Sequence, residues 1–321
     1  MISNYQFLDD GVLSPKGGKM PFKTKPFKHQ LKCLKEYGER KYFALLADMG
    51  TGKTWIIIND FAYLFCRGLV RDLLVIAPNG VQWNWVKNEL ATHLPELVQN
   101  KVIYAGYSGA MNKKEKDNLQ GLFSIKARGL GRILCVNWES LSNAKGTELI
   151  NNFLTEPART MIVLDESDYC KNPTSKRAKF VQSLADKAAY KRIMTGTPIN
   201  NSPFDAWMQF NFLDPSILKA PSFIGFKCRY GVFLSQENPL VRAIRAKTRA
   251  RCAMVQAVEH GHPVYKNLDE LKNLIAPHSF RVLKSDCLDL PPKVYKNIYV
   301  DMTAKQAQAY KKMCREGILL L

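Results

Sequence analysis

Six short apolar runs recur along this chain, each broken off by turn or polar residues: YFALLADMG, DLLVIAPNG, KVIYAGYSG, RILCVNWES, TMIVLDES and KRIMTGTP. Helix-compatible segments lie between them, among them KTWIIINDFAYLFCRG, VQWNWVKNELATHL and TSKRAKFVQSLADKAAY. Strands buried on both faces carry continuous rather than alternating hydrophobicity, and parallel strands need long crossovers. The pattern predicts an α/β fold with a parallel sheet covered by helices on both faces. In such sheets ligands gather at the carboxyl ends of the strands. The polar clusters of this chain fall at those ends.

The first cluster is ADMGTGKT, Ala47 to Thr54, which closes a strand and opens a helix. Gly50 and Gly52 let backbone N–H groups approach phosphate oxygens with no Cβ in the way. The helix N-terminus that follows adds a favourable dipole. Met49, Gly50, Thr51 and Gly52 would form the loop, Lys53 would reach the β- and γ-phosphates, and Thr54 would ligate magnesium. Ala47 stands where the G-x-x-x-x-G-K-T pattern has its first glycine. The alternative is a structural glycine turn.

The second cluster is VLDESDYCKN, where the run Met161 to Leu164 drives into Asp165, Glu166 and Asp168. Alone, it is either an acidic turn after a strand or the seat of a cation. With a phosphate loop in the same chain, Asp165 fits a magnesium ligand, direct or through water, and Glu166 a general base for the attacking water.

The formal charge is +19, from 47 basic and 28 acidic residues, a field that attracts polyanions such as nucleic acid. From Ser216 to Ser285 the long apolar strands give way to a mainly helical insertion with 12 Lys/Arg against 4 Asp/Glu. Within it Arg242, Arg245, Lys247, Arg249 and Arg251 form either a solvated helix face or a nucleic-acid contact. No run reaches 18 apolar residues, so no membrane span is expected. Cysteines 33, 66, 135, 170, 228, 252, 287 and 314 are scattered singly, which suits small core residues in a reducing compartment: the cytoplasm or nucleoid, or a nucleus.

The order of these motifs resembles that of superfamily 2 helicase motors, and within them the Swi/Snf-type DNA-dependent ATPases. FKHQLKCL is similar to their Q motif, LLADMGTGKT to motif I, VIAPNGVQWNWVKNEL to Ia and ILCVNWESLS to Ib, with Trp138 where tyrosine is usual. VLDESDYCKNPTSKRAKFVQSL resembles motif II with its Lys171-Asn172 extension, and KRIMTGTPINNSPFDAWMQFNFLDP resembles motif III. The tail, HSFRVLKSDCLDLPPKVYKNIYVDMTAKQAQAYKKM, is similar to the segment that closes their first lobe.

The resemblance implies a RecA-like, three-layer P-loop lobe over residues 1–215, the basic insertion at 216–285, and a lobe-closing segment with the start of a linker at 286–321. ATP and Mg would be held through Gln30, which matches the adenine-reading glutamine, and through Lys53, Thr54, Asp165 and Glu166. Thr195, Gly196 and Thr197 would couple the nucleotide state to lobe movement, although both hydroxyls could instead cap the next helix. Asn79, Gly80, Gln82 and Asn84, with Asn137 to Ser140, would meet the backbone of double-stranded DNA without reading sequence. Trp83 and Trp85 are read as core packing, with base stacking as the alternative.

Motif II usually ends in His. Asp168 holds that place, so its link to motif III is expected to run differently, with Asp168 accepting from Thr195 or Thr197. The resemblance also implies a second RecA-like lobe, in cis or in trans, to bring the arginine fingers. The expected function is the ATP-binding lobe of a motor that translocates on or remodels duplex DNA. The alternatives are a strand-separating helicase, half of a restriction-system motor, and a non-catalytic ATP- or DNA-binding scaffold.

Overall fold

The computed structural model describes residues 6–13, 18–124, 127, 129–248, 254–287, 296–297 and 299–316. Residues 1–288 form one compact unit and 289–321 another. The first unit opens with an antiparallel meander, β1 (Gln6–Leu8), β2 (Gly11–Leu13) and β3 (Lys19–Pro21). Six strands match the six apolar runs: β4 (Tyr42–Ala47), β5 (Asp72–Ala77), β6 (Val102–Tyr107), β7 (Gly131–Asn137), β8 (Thr160–Asp165) and β9 (Tyr190–Thr195). A two-residue hairpin, β10 (Val258–Glu259) with β11 (His262–Pro263), interrupts the later helices, and β12 (Ser279–Val282) follows.

β12 and β4 to β9 make one seven-stranded sheet, ordered β12-β4-β9-β8-β5-β7-β6, with every pairing parallel. Because side chains alternate along a strand, the two faces of the sheet have separate cores. On β5, Leu73, Val75 and Ala77 pack with helices α1 (Lys28–Tyr37) and α2 (Lys53–Cys66) through Leu34, Ile57 and Phe61. Leu74 and Ile76 pack on the opposite face, with the helices Ala144–Phe153, Lys176–Leu184 and Ala206–Leu213. The result is the three-layer α/β arrangement expected from the runs.

β12 lies within the 216–285 span and within the tail likened to a lobe-closing segment. Its residues Ser279 to Val282 pair with Ala44 to Ala47, so the span returns to the sheet as an edge strand beside β4. Before that return the segment carries the helices Phe223–Tyr230, Pro239–Thr248 and Leu268–Ile275 and the hairpin of β10 with β11. The second unit contains the helix Ala304–Glu316. No helix among the described residues is long and apolar enough to cross a membrane.

The seven described cysteines are thiols, but only Cys33, Cys135 and Cys170 are the buried core residues expected; Cys66, Cys228 and Cys314 are exposed. Burial pushes the Cys170 thiol up to about 12, as suits an inert core position.

Candidate active site

The strand order brings three predicted clusters to one edge. β9 lies between β4 and β8, so the phosphate loop, the Thr-Gly-Thr turn and the acidic strand end leave neighbouring strands. Leu46 pairs with Thr195 and Met194 with Asp165, which sets the three strand ends level.

Gly50 and Gly52 adopt the positive φ angles of 81° and 79° that a phosphate-wrapping loop requires. A Cβ on Gly52 would also overlap the side-chain amide of Gln30. Gln30 is buried: its Oε1 accepts from the Phe27 amide at 2.8 Å, and its Nε2 donates to the Gly52 carbonyl at 3.2 Å. It therefore ties the start of α1 to the loop. His29 Nε2 adds a bond to the Thr51 carbonyl at 2.8 Å. Thr51 is buried, and Met49 is the exposed tip, with 69% of its surface accessible.

Lys53 Nζ donates to the Ala47 carbonyl at 3.0 Å and lies 3.6 Å from Glu166 Oε1. Asp165 is buried at the end of β8, and burial pushes its carboxyl up to about 6, against the Trp85 N–H that pulls it down. Glu166 takes a left-handed conformation (φ 48°) that begins the 3-10 turn Ser167–Cys170, an uncommon geometry for a residue with a side chain. These features fit a magnesium nucleotide: a glycine cradle, an ammonium beside it, and a carboxylate in a poorly solvated place where a cation would compensate its charge.

Thr195 is buried, and its Oγ1 accepts from the Thr197 amide at 3.1 Å, so this hydroxyl shapes its own turn. A Cβ on Gly196 would lie 3.5 Å from the Ala47 carbonyl oxygen, so the turn packs directly on the phosphate loop. Asp168 does not accept from either threonine. Its Oδ2 accepts from Asn200 Nδ2 at 3.1 Å, because Asn200 lies further along the same loop and reaches the half-buried carboxylate. A second link was not foreseen. Buried Ser167 donates to Gln209 Oε1 at 2.6 Å, and Gln209 Nε2 donates to the Pro198 carbonyl at 2.7 Å. The acidic strand end and the Thr-Gly-Thr loop are thus joined through Ser167, Gln209 and Asn200.

Sequence reasoning also missed Lys284. β12 runs parallel to β4, so the residues after Val282 emerge beside Asp48. The Lys284 amide donates to Asp48 Oδ2 at 2.9 Å, and its Nζ lies 3.5 Å from where a Gly50 Cβ would be. A cation sits over the phosphate loop, supplied from 236 residues beyond Asp48 by sheet pairing. The only signal in the sequence was a lysine one residue past a short apolar stretch.

The predicted DNA-facing residues divide. Asn79 and Gly80 form an exposed turn, and Asn84 is exposed, bonded to Glu89 and Asn88. Gln82, Asn137 and Ser140 are buried, which corrects the expectation that their side chains face outward. Asn137 caps the 3-10 turn Trp138–Ser142 through the Ser140 amide at 3.2 Å, and Gln82 lies on the inner side of its helix. Trp85 is fully buried, and Trp83 packs its ring against Gly106, so both are packing residues as read. Arg242 and Lys247 are exposed on the helix Pro239–Thr248, and Arg245 is half-buried; Arg249 and Arg251 lie outside the described residues.

A parallel sheet carrying a phosphate loop on one strand end and an Asp-Glu pair two strands away defines a RecA-like P-loop nucleotide-binding lobe. The SNF2-related domain family matches residues 29–321, and the chain belongs to that family. It is 28% identical over 256 residues to the mouse DNA annealing helicase and endonuclease ZRANB3, covering 79% of this chain and 20% of that protein. It is 26% identical over 264 residues to the ATP-dependent DNA helicase DDM1 of Arabidopsis thaliana, covering 82% of this chain and 30% of that one. The chain thus spans less than a third of either relative. Among solved structures, the Sulfolobus solfataricus SWI2/SNF2 ATPase core in complex with dsDNA matches with a TM-score of 0.57 and 25% identity, over 92% of this chain and 53% of that one.

Proposed function

We propose that this chain is the ATP-binding lobe of a DNA-dependent ATPase that moves on or remodels duplex DNA and works with a second RecA-like lobe. The observation that carries the reading is the convergence of Lys53, Asp165, Glu166 and the Thr195–Thr197 turn at adjacent strand ends. Loop amides from Met49 to Gly52 and the Lys53 ammonium would bind the phosphates, with Lys284 as a further cation above them. Gln30, which the motif likens to an adenine-reading glutamine, is buried and bonded to Phe27 and Gly52, so it would act on the nucleotide by holding the edge of the loop. Thr54 and Asp165 would hold magnesium, which neutralises charge on the phosphates. Glu166 would accept a proton from the attacking water. Ser167, Asp168, Gln209 and Asn200 would pass a change at the acidic strand end to the Thr-Gly-Thr loop.

Duplex DNA is favoured as the partner by the +19 charge and by similarity to an ATPase core solved on dsDNA. Asn79, Gly80, Asn84, Arg242 and Lys247 are the exposed residues of the predicted set that would meet its phosphates. A DNA-containing compartment, nucleoid or nucleus, fits that partner. The test is ATP hydrolysis by the full-length gene product with and without duplex. Stimulation that is lost in Lys53→Ala and Glu166→Gln supports the motor. Nucleotide binding without hydrolysis, with both lobes present, would mark a scaffold. Unwinding of a tailed duplex would mark a helicase.

A further inference from the structure

Asp165 is gripped twice by indoles. Trp85 Nε1 donates to its carboxylate Oδ2 at 3.0 Å, and Trp138 Nε1 donates to its main-chain carbonyl at 2.9 Å. Both tryptophans are fully buried, and Asp165 keeps 5% of its surface. They come from different elements. Trp85 sits on the helix that follows β5, and Trp138 opens the 3-10 turn that follows β7. β5 pairs with both β7 and β8, with Ile76 opposite Leu164 and Ala77 opposite Asn137, so the two tryptophans leave strand ends level with Asp165.

The helix is not regular where it makes this contact. Residues Trp85–Glu89 form a π turn, in which the Leu90 amide reaches back to the Trp85 carbonyl. Such a turn adds a residue to the helical repeat and re-aims the side chains on it, a distortion that needs compensation. Here the compensation is a charge-assisted hydrogen bond from a buried N–H to a buried carboxylate, which is stronger than a neutral bond of equal length. A buried indole N–H needs an acceptor, and the Asp165 carboxylate supplies it.

We infer that Trp85 is a positioning residue for the metal-binding carboxylate: its N–H occupies Oδ2 and fixes the carboxylate plane, which leaves Oδ1 for magnesium or its bound water. Trp138 holds the backbone of the same residue, so side chain and main chain are pinned independently. Among the described residues the Trp85 indole is the side chain that hydrogen-bonds this carboxylate, and the Glu166 backbone amide is its other hydrogen-bond partner. Partners of this kind, one shell out from the ion, typically contribute about 10–100-fold to metal affinity. The inference rests on the ATP-lobe reading, and its test separates the two.

The experiment titrates the chain with a methylanthraniloyl derivative of a non-hydrolysable ATP analogue, excited directly, first in EDTA and then against increasing magnesium. The variants are Trp85→Phe, Trp85→β-(3-benzothienyl)alanine, which keeps the bicyclic shape without the N–H, and Asp165→Asn. The expected result is unchanged nucleotide affinity in EDTA for both Trp85 variants, with the magnesium midpoint raised about 10–100-fold. Asp165→Asn should abolish the magnesium response. Wild-type midpoints in both Trp85 variants, with Asp165→Asn still defective, would overturn the positioning role alone. Equal losses with and without magnesium would overturn it as well, by reducing the effect to packing. A wild-type protein whose nucleotide binding ignores magnesium would overturn the ATP-lobe reading and this inference together.

Discussion

Replacing Glu166 by Gln should tighten ATP binding while abolishing hydrolysis, because the residue has two opposed effects in this structure. Its carboxylate lies 3.6 Å from Lys53 Nζ, with the side chains 21% and 9% exposed. Coulomb attraction at that separation is about 1 kcal/mol in bulk water and about 4–5 kcal/mol at an effective dielectric near 20. Desolvation of both groups offsets much of the larger figure, which leaves a net pairing of about 1 kcal/mol. A nucleotide draws Lys53 to its phosphates, so this pairing opposes binding, and the carboxylate also repels the phosphates. Removing the charge should therefore lower the ATP dissociation constant about 5–10-fold. Hydrolysis should fall by about 100-fold or more with loss of the general base. Equilibrium titration with a fluorescent ATP derivative gives the first quantity and phosphate release with duplex present gives the second. The same substitution in a Lys53→Ala background isolates the part that acts through Lys53. Unchanged or weaker binding in Glu166→Gln would refute the competition, as would an equal gain in the Lys53→Ala background.

Four further outcomes are expected. Asp60 and Arg192 form a fully buried pair at 2.8 Å, so Asp60→Asn should cost about 3–5 kcal/mol in urea denaturation, with much of it recovered in Asp60→Leu/Arg192→Met. The Gln82 amide is buried with neither atom hydrogen-bonded, so Gln82→Met should raise stability by about 1–2 kcal/mol; a loss would show that the amide has a role in the fold. Lys284→Ala should weaken ATP binding about 5-fold, the effect of one lost charge-assisted contact, with less effect in high salt. Asp165 has its carboxyl raised to about 6, so it is protonated below that pH and ionised above it. Magnesium-dependent nucleotide binding should accordingly decline as pH falls through about 6, and Asp165→Asn should show no such limb in the same titration.

The apolar runs, the loop from Met49 to Thr54 and the Asp165–Glu166 pair were legible because each rests on local chemistry. A continuous apolar run suits a strand buried on both faces, and glycine is needed where φ is positive. Side-chain direction was harder to read. Gln82 and Asn84 are two residues apart on one helix, yet one is buried and the other exposed. The π turn at Trp85 also breaks the regular period on which sequence arguments about helix faces depend. Asn137 and Ser140 were polar residues in a DNA-facing motif by resemblance, but they serve each other across a buried 3-10 turn.

What the sequence determined by itself was therefore the class of sheet and the chemistry at two of its strand ends, since both depend on residues adjacent in the chain. Tertiary structure alone decided that β9 separates β4 from β8 and that β12 returns beside the phosphate loop with Lys284. It also decided that Asp168 meets Asn200, and that Trp85 and Trp138 both close on Asp165. These contacts join segments 27 to 236 residues apart. Their existence follows from strand order and register, which are fixed by how the whole apolar surface is buried at once and are not encoded at any single position.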